Sequence, residues 1–253
     1  MFRHITSWAA CLAVLACGVS GAQAQPVPAT TAADKAPAIS KFLEPGELDV
    51  SVILPPPPVD GSPQAAAELA ELHGLAASRT PERLAQAQHD AAVENVTAIA
   101  DVYGPAFDLA QFPATARLFA DLHHEEGLAA TTAKKFFRRP RPWEVDATLA
   151  ADPALAACDK GGAKSSYPSG HATMGYTAAA VLAQLMPGNA QLVLARASDY
   201  AESRLICGAH FPSDTEASHV LATALVAKLM TKPEFQAEFA AAQAELTAAH
   251  LAP

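Results

Sequence analysis

Nowhere along these 253 residues do apolar and polar side chains alternate with a period of two over a useful length. A half-buried strand needs that alternation, because its successive side chains point to opposite faces of a sheet. The chain is instead rich in alanine and leucine and poor in aromatic and β-branched residues, a composition that favours helix. Its punctuation is local. Ser62-Pro63, Thr80-Pro81-Glu82, Ser213-Asp214 and Lys232-Pro233-Glu234 read as helix starts; Gly104-Pro105 and Pro187-Gly188 read as stops. Helices are expected at 63–76, 80–102, 113–137, 171–186, 189–206, 213–230 and 233–249. Pro55 to Pro58 must be extended polyproline, since their fixed φ and missing N–H suit neither a helix interior nor a central strand. There is no internal repeat. The expectation is one all-α, single-domain helical bundle with its chemistry at helix ends.

Residues 1–24 have the layout of a secretory signal peptide. Arg3 and His4 are followed by an apolar run from Ile5 to Ala16, and Ala22-Gln23-Ala24 offers a small-x-small cleavage site. The run is too short to span a bilayer comfortably. A lipid-modified Cys17 fits less well, because Leu15 suits that signal poorly. Residues 25–45, rich in Pro, Ala and Thr, read as a flexible leader, and 46–253 as the folded domain. Cleavage removes Cys11 and Cys17. Cys158 and Cys207 remain, and an oxidising compartment makes a disulfide between them the default expectation. It would tie the segment ahead of His171 to the one holding Arg204 and His210.

The formal charge is −9, from 26 acidic side chains against 17 Lys and Arg. Such a surface repels nucleic acid and anionic lipid, and neither is expected as a partner. Cation gathered locally in an acidic protein is then telling. It gathers at Lys134, Arg138, Arg139, Arg141 and Arg204, although a solvated helix end suffices to explain Arg138 and Arg139.

Three clusters carry the chemistry. Lys134 lies near the end of a helix, and Arg141 is held extended by Pro142. A lysine acts as a point charge and an arginine as a fork, so the two can share one oxyanion. Pro168-Ser169-Gly170-His171 is a turn feeding a helix, where Gly170 lets a ligand approach the backbone and first-turn N–H groups donate to anions. Arg204 ends another helix, and His210 and Asp214 straddle the next helix entry, where a carboxylate can fix the imidazole tautomer and leave one ring nitrogen free. Asp214 as a plain helix cap would explain that last pair equally well. His123-His124-Glu125-Glu126 looks metal-like, but Leu128 stands where a His-Glu-x-x-His motif needs histidine. A helix face is the better reading, with Glu125 or Glu126 near Lys134. Asn95-Val96-Thr97 matches a glycosylation sequon inside an expected helix, and Trp143 suits a pocket wall or the core.

Taken together, Lys134-x6-Arg141-Pro142, Pro168-Ser169-Gly170-His171 and Ser203-Arg204-x5-His210-x3-Asp214 resemble the three-part signature of the type 2 phosphatidic acid phosphatase superfamily. Within it the chain is most similar to the class A nonspecific acid phosphatases of bacterial periplasms, over residues 46 to 235. Ile53 to Pro58, Ser166-Tyr167 and Ile206-Cys207-Gly208 also fit that family. Ala172-Thr173-Met174 and the flanks of His210 depart from its usual sequence, which bears on substrate preference. The resemblance implies a periplasmic phosphomonoesterase acting on small molecules. In it Lys134, Arg141, Arg204, Ser169 and Gly170 hold the phosphoryl group, His210 is the nucleophile, Asp214 orients it, and His171 is the general acid and base. It implies neither metal nor cofactor, a neutral His210 beside a protonated His171, and a bell-shaped pH profile. Homo-oligomerisation is left open. Rival readings are a vanadium haloperoxidase, whose chains are usually much longer, and a phosphate-binding protein, for which two histidines are surplus.

Overall fold

The computed structural model describes residues 39–158 and 165–252; the expected signal peptide and most of the leader lie outside them. Proline sets the rhythm of the fold. Seven helices begin with it: α2 (Pro63–Ser78), α3 (Pro81–Ala92), α5 (Pro113–Phe137), α6 (Pro142–Val145), α8 (Pro153–Cys158), α11 (Pro212–Leu229) and α12 (Pro233–Ala248). At the first helical position the absent N–H costs nothing and the fixed φ is already helical. Ser62 and Thr80 complete two of these starts, their hydroxyls accepting from Ala65 N and Arg83 N at 3.2 Å each. The remaining helices are α1 (Val50–Ile53), α4 (Thr97–Ala100), α7 (Ala147–Ala150), α9 (Gly170–Leu185) and α10 (Ala190–Ile206). Among the described residues there is no strand.

The core is built round α9. Ten of its residues are buried, on every side of the helix, and most are small or aliphatic. It packs against α5, α10 and α11, with α12 closing over α5. Small residues set the spacing. A Cβ on Gly175 would lie 2.9 Å from Cδ1 of the buried Tyr200 on α10, so only glycine permits this approach. The Tyr200 hydroxyl then donates to Val93 O at 2.7 Å, tying α10 to the end of α3.

Two expectations need correction. The helix foreseen at 80–102 is broken after Ala92, because Asn95 Oδ1 accepts from Thr97 N (2.9 Å) and Thr97 Oγ1 (2.6 Å) and turns the chain into α4. The sequon therefore sits in a turn. The leader, read as flexible to residue 45, is docked from Ser40 onward. Ser40 Oγ and Lys41 N both donate to Glu125 at 2.6 Å, Lys41 Nζ pairs with Asp121 and Glu238, and Phe42 meets Phe235 edge-on.

Candidate active site

Helix ends converge on one place: the C-terminal turns of α5 and α10 and the N-terminal turns of α9 and α11. α5 stops because Arg138 adopts a left-handed conformation (φ 52°) and returns its N–H to Lys134 O. Lys134 Nζ donates to the carbonyls of Ser165 (2.5 Å) and Pro168 (2.7 Å), which pins the turn ahead of α9. That turn ends at Ser169, whose hydroxyl caps α9 through Ala172 N while its N–H donates to Asp214 O. Capping uses the acceptor side of the hydroxyl and leaves its proton available.

Arg141, extended before Pro142, donates its backbone N–H to Glu144 and swings its guanidinium over the Trp143 ring. Nη1 reaches Ala209 O at 2.8 Å and His210 Nε2 at 2.7 Å. On the other side of that ring Nδ1 lies 3.3 Å from Asp214 Oδ2. A carboxylate accepts and a guanidinium only donates, so the two neighbours assign the tautomer: Nδ1 carries the proton and Nε2 the lone pair. His210 is fully enclosed. Loss of water, then Arg141, Lys134, Arg204 and His171, hold its pKa well below the ordinary value, so the ring is neutral.

Asp214 does two jobs. One oxygen accepts from the backbone N–H of Phe211, capping α11, and from the Ser166 hydroxyl and the His210 ring. The other accepts from Arg139 Nη1 at 2.7 Å. Burial pushes this carboxyl up, and Arg139, Ser166 and the Phe211 N–H oppose that push. Arg139 is thus no solvated helix end. It is 4 % exposed, lies 3.8 Å over the Phe211 ring, and binds Ser213 Oγ and Glu68 Oε2 as well as Asp214. Glu68 in turn accepts from Ser213 N at 2.7 Å. Of this Glu68–Arg139–Asp214 relay, sequence reading singled out Asp214, took Arg139 for a solvated helix end, and missed Glu68. The one available signal was Pro140, which holds Arg139 extended as Pro142 holds Arg141.

Arg204 is buried at the end of α10 and donates from Nη2 to Cys158 O at 2.9 Å. Cys158 and Cys207 form the disulfide, joining α8 to the residue that ends α10. His171 sits one residue into α9, with Nε2 3.2 Å from Ala91 O and Nδ1 3.3 Å from Glu94 Oε1. Loss of water, then Arg204, Arg141 and Lys134, push its pKa down to about 3 against the pull of the Ala91 carbonyl. The expected contrast between one neutral and one protonated histidine is therefore not a property of the protein alone. Glu94, in the break that the sequence concealed, was also missed.

The acidic run on α5 disperses. His123 Nδ1 pairs with Glu126 at 2.7 Å, His124 Nε2 meets Ile39 O, and Glu125 accepts from Ser40 and Lys41. Among the described residues no group of three or more His, Cys, Asp or Glu is placed to hold a metal, and no helix is long and apolar enough to cross a membrane.

Residues 126–236, which carry all three clusters, match the PAP2 superfamily. An acid phosphatase of Zymomonas mobilis is 31 % identical over 80 % of this chain and 78 % of its own. Non-specific acid phosphatases of Providencia stuartii (31 %, covering 78 % and 81 %) and Salmonella typhimurium (33 %, covering 82 % and 84 %) are similar to it as well. The chain belongs to the PAP2 superfamily, in its family of bacterial non-specific acid phosphatases.

Proposed function

We propose that this acid phosphatase hydrolyses phosphate monoesters through a phosphohistidine on His210. The observation that carries the reading is the state of that ring: buried, neutral, its Nδ1–H directed to Asp214 and its Nε2 lone pair facing the cations. Lys134, Arg141 and Arg204 would take the phosphoryl oxygens, with the Ser169 hydroxyl and the first N–H groups of α9. Nε2 attacks phosphorus in line, the P–O ester bond breaks, and the leaving alkoxide takes a proton from His171. Water then attacks phosphorus as the P–N bond breaks; His171 accepts the water proton, the ring nitrogen regains its electron pair, and inorganic phosphate leaves.

His171 needs that first proton. Loss of water is the largest cause of its lowered pKa, and the cations come after it. A phosphate dianion lying among them offsets their share and, as a nearby negative charge, favours the protonated ring, so substrate binding moves His171 towards its acid form. The mechanism asks nothing of a metal. Export to the periplasm belongs to the same proposal, supported by the layout of residues 1–24.

The test is hydrolysis of p-nitrophenyl phosphate with EDTA present, at roughly pH 4–8, where histidines titrate. Wild type is run beside His210→Ala, with and without vanadate. Activity that survives EDTA, yields to vanadate and vanishes in the variant is expected. Undiminished turnover by His210→Ala overturns the phosphohistidine, and bromide oxidation by an otherwise inert protein given vanadate and peroxide would establish a haloperoxidase instead.

A further inference from the structure

Glu94 belongs to none of the three clusters, yet it stands beside the ring nitrogen of His171 that the backbone does not hold. Ala91 O is fixed and takes His171 Nε2, so Nδ1 is the nitrogen that meets a leaving oxygen. Glu94 Oε1 lies 3.3 Å from that Nδ1 and 3.3 Å from where a Cβ on Gly170 would be, with Lys134 Cε 4.0 Å from the same point. The side chain comes from the turn between α3 and α4, is 45 % exposed, and reaches the site from the solvent side. We propose that Glu94 is a specificity-determining residue that reads the charge of the leaving group, disfavouring esters whose leaving portion is anionic and favouring those whose leaving portion is neutral or cationic. This rests on His171 being the acid that serves the leaving oxygen.

The physical argument is one of position and sign. Every group in the cradle proper is cationic or neutral, so a dianionic phosphoryl head is attracted whatever it is attached to. Discrimination must come from the charge met by the rest of the molecule, and among the described residues the acidic charge beside His171 is Glu94. Its surroundings are mixed. His123 and Lys134 face it from α5, with Glu126 behind His123; His171 faces it from α9, Arg204 and the Tyr200 phenol from α10, and Arg141 from the loop. Loss of water raises its carboxyl above the ordinary range and these cations, His123 first, pull it back. Discrimination should therefore be weak at the acid end and grow as pH rises and the carboxyl ionises.

Phosphonates carry the same head on an uncleavable bond, which separates this idea from turnover. Binding of 2-aminoethylphosphonate, ethylphosphonate and phosphonoacetate to wild type and Glu94→Gln is measured by calorimetry across the same pH range, with p-nitrophenyl phosphate hydrolysis followed in parallel. Gln has the size of Glu and no charge. The expected result is a charge-ordered response near neutral pH. Phosphonoacetate tightens about tenfold in the variant, as one unit charge at this range allows. Ethylphosphonate changes little and the amine weakens. All three ratios converge towards one at the acid end. A uniform factor for the three ligands, or none, overturns the proposal, since a merely structural role cannot sort ligands by charge. Loss of p-nitrophenyl phosphate turnover in wild type would count against the phosphatase mechanism and leave the binding comparison intact.

Discussion

Replacing Arg139 by methionine should damage both the fold and the chemistry, by amounts the relay dictates. The guanidinium is the shared partner of two buried carboxylates, Glu68 and Asp214, which are 6 % and 0 % exposed. Methionine keeps much of the volume over Phe211 but strands both charges. Breaking a buried pair by removing one member costs about 3–5 kcal/mol. For a domain of this size each kcal/mol moves Tm by about 2–4 °C, so a fall of roughly 6–20 °C is expected by calorimetry. The kinetic effect has a direction too. Arg139 is the strongest influence holding the Asp214 carboxyl down, so its loss lets Asp214 protonate at higher pH. A protonated Asp214 no longer accepts from His210, and the acid limb of kcat should move upward while KM changes little, because Arg139 touches no substrate. Adding Glu68→Gln removes one stranded charge and should recover part of the lost Tm, a coupling of about 0.5–3 kcal/mol between contacting residues. A Tm within about 2 °C of wild type, less than 1 kcal/mol, together with an unmoved acid limb, would refute the relay.

Two further outcomes follow from features of the core. Gly175→Ala puts a methyl 2.9 Å from a buried ring with nowhere to go, and should cost about 1–3 kcal/mol. Because α9 and α10 carry His171 and Arg204, the same change should lower kcat/KM, and a variant as stable and active as wild type would show that the two helices can separate freely. Burial pushes the Glu126 carboxyl up to about 7, against the pull of His123. A folded-state pKa above the unfolded one means the native protein binds the extra proton, so this group costs stability as pH rises from about 4.5 to 7. Glu126→Gln should therefore gain up to about 3 kcal/mol relative to wild type between pH 4 and pH 8, read from Tm at each pH; a constant difference would mean that the pair with His123 keeps Glu126 ionised throughout.

Much of the fold was legible because its instructions are local. Pro63, Pro81, Pro113, Pro212 and Pro233 each open a helix where the sequence placed one, and the period-free, alanine-rich segments between them could do little else. What failed also failed locally. One Asn–Thr turn at 95–97 divides a stretch that reads as continuous helix, and no composition reveals which asparagine will turn back on itself. The three clusters announced Lys134, Arg141, Ser169, His171, Arg204, His210 and Asp214 because their spacing is a pattern, and the structure brings them to a single set of helix ends. The role of Arg139, named among the cations but read as a solvated helix end, and the whole of Glu68 escaped because Arg139 meets Asp214 and Glu68 across 75 and 71 residues, with no motif joining them. Glu94 escaped twice over, hidden in the misread helix and in a stretch with no chemical signature. Buried ion pairs of this kind are decided by tertiary placement.

Gathering three cations around one point costs free energy before any substrate arrives, and the bundle is wired to offset that cost. Lys134 occupies the last turn of α5 and Arg204 the last turn of α10, the ends at which a helix carries its partial negative charge. Each such placement contributes about 0.3–1 kcal/mol, and more when partly buried. α9 and α11 point the opposite way and turn their N-termini to the site; Ser169 caps α9 at Ala172 N alone, whereas at α11 Glu68 already accepts from Ser213 N and Asp214 lies in the first turn. The two C-termini stabilise the protein's own cations, and the N-terminus of α9 is left to greet an anion. Reversing the direction of either pair of helices, with every side chain kept in place, would give a pocket with the same residues and a field turned against itself.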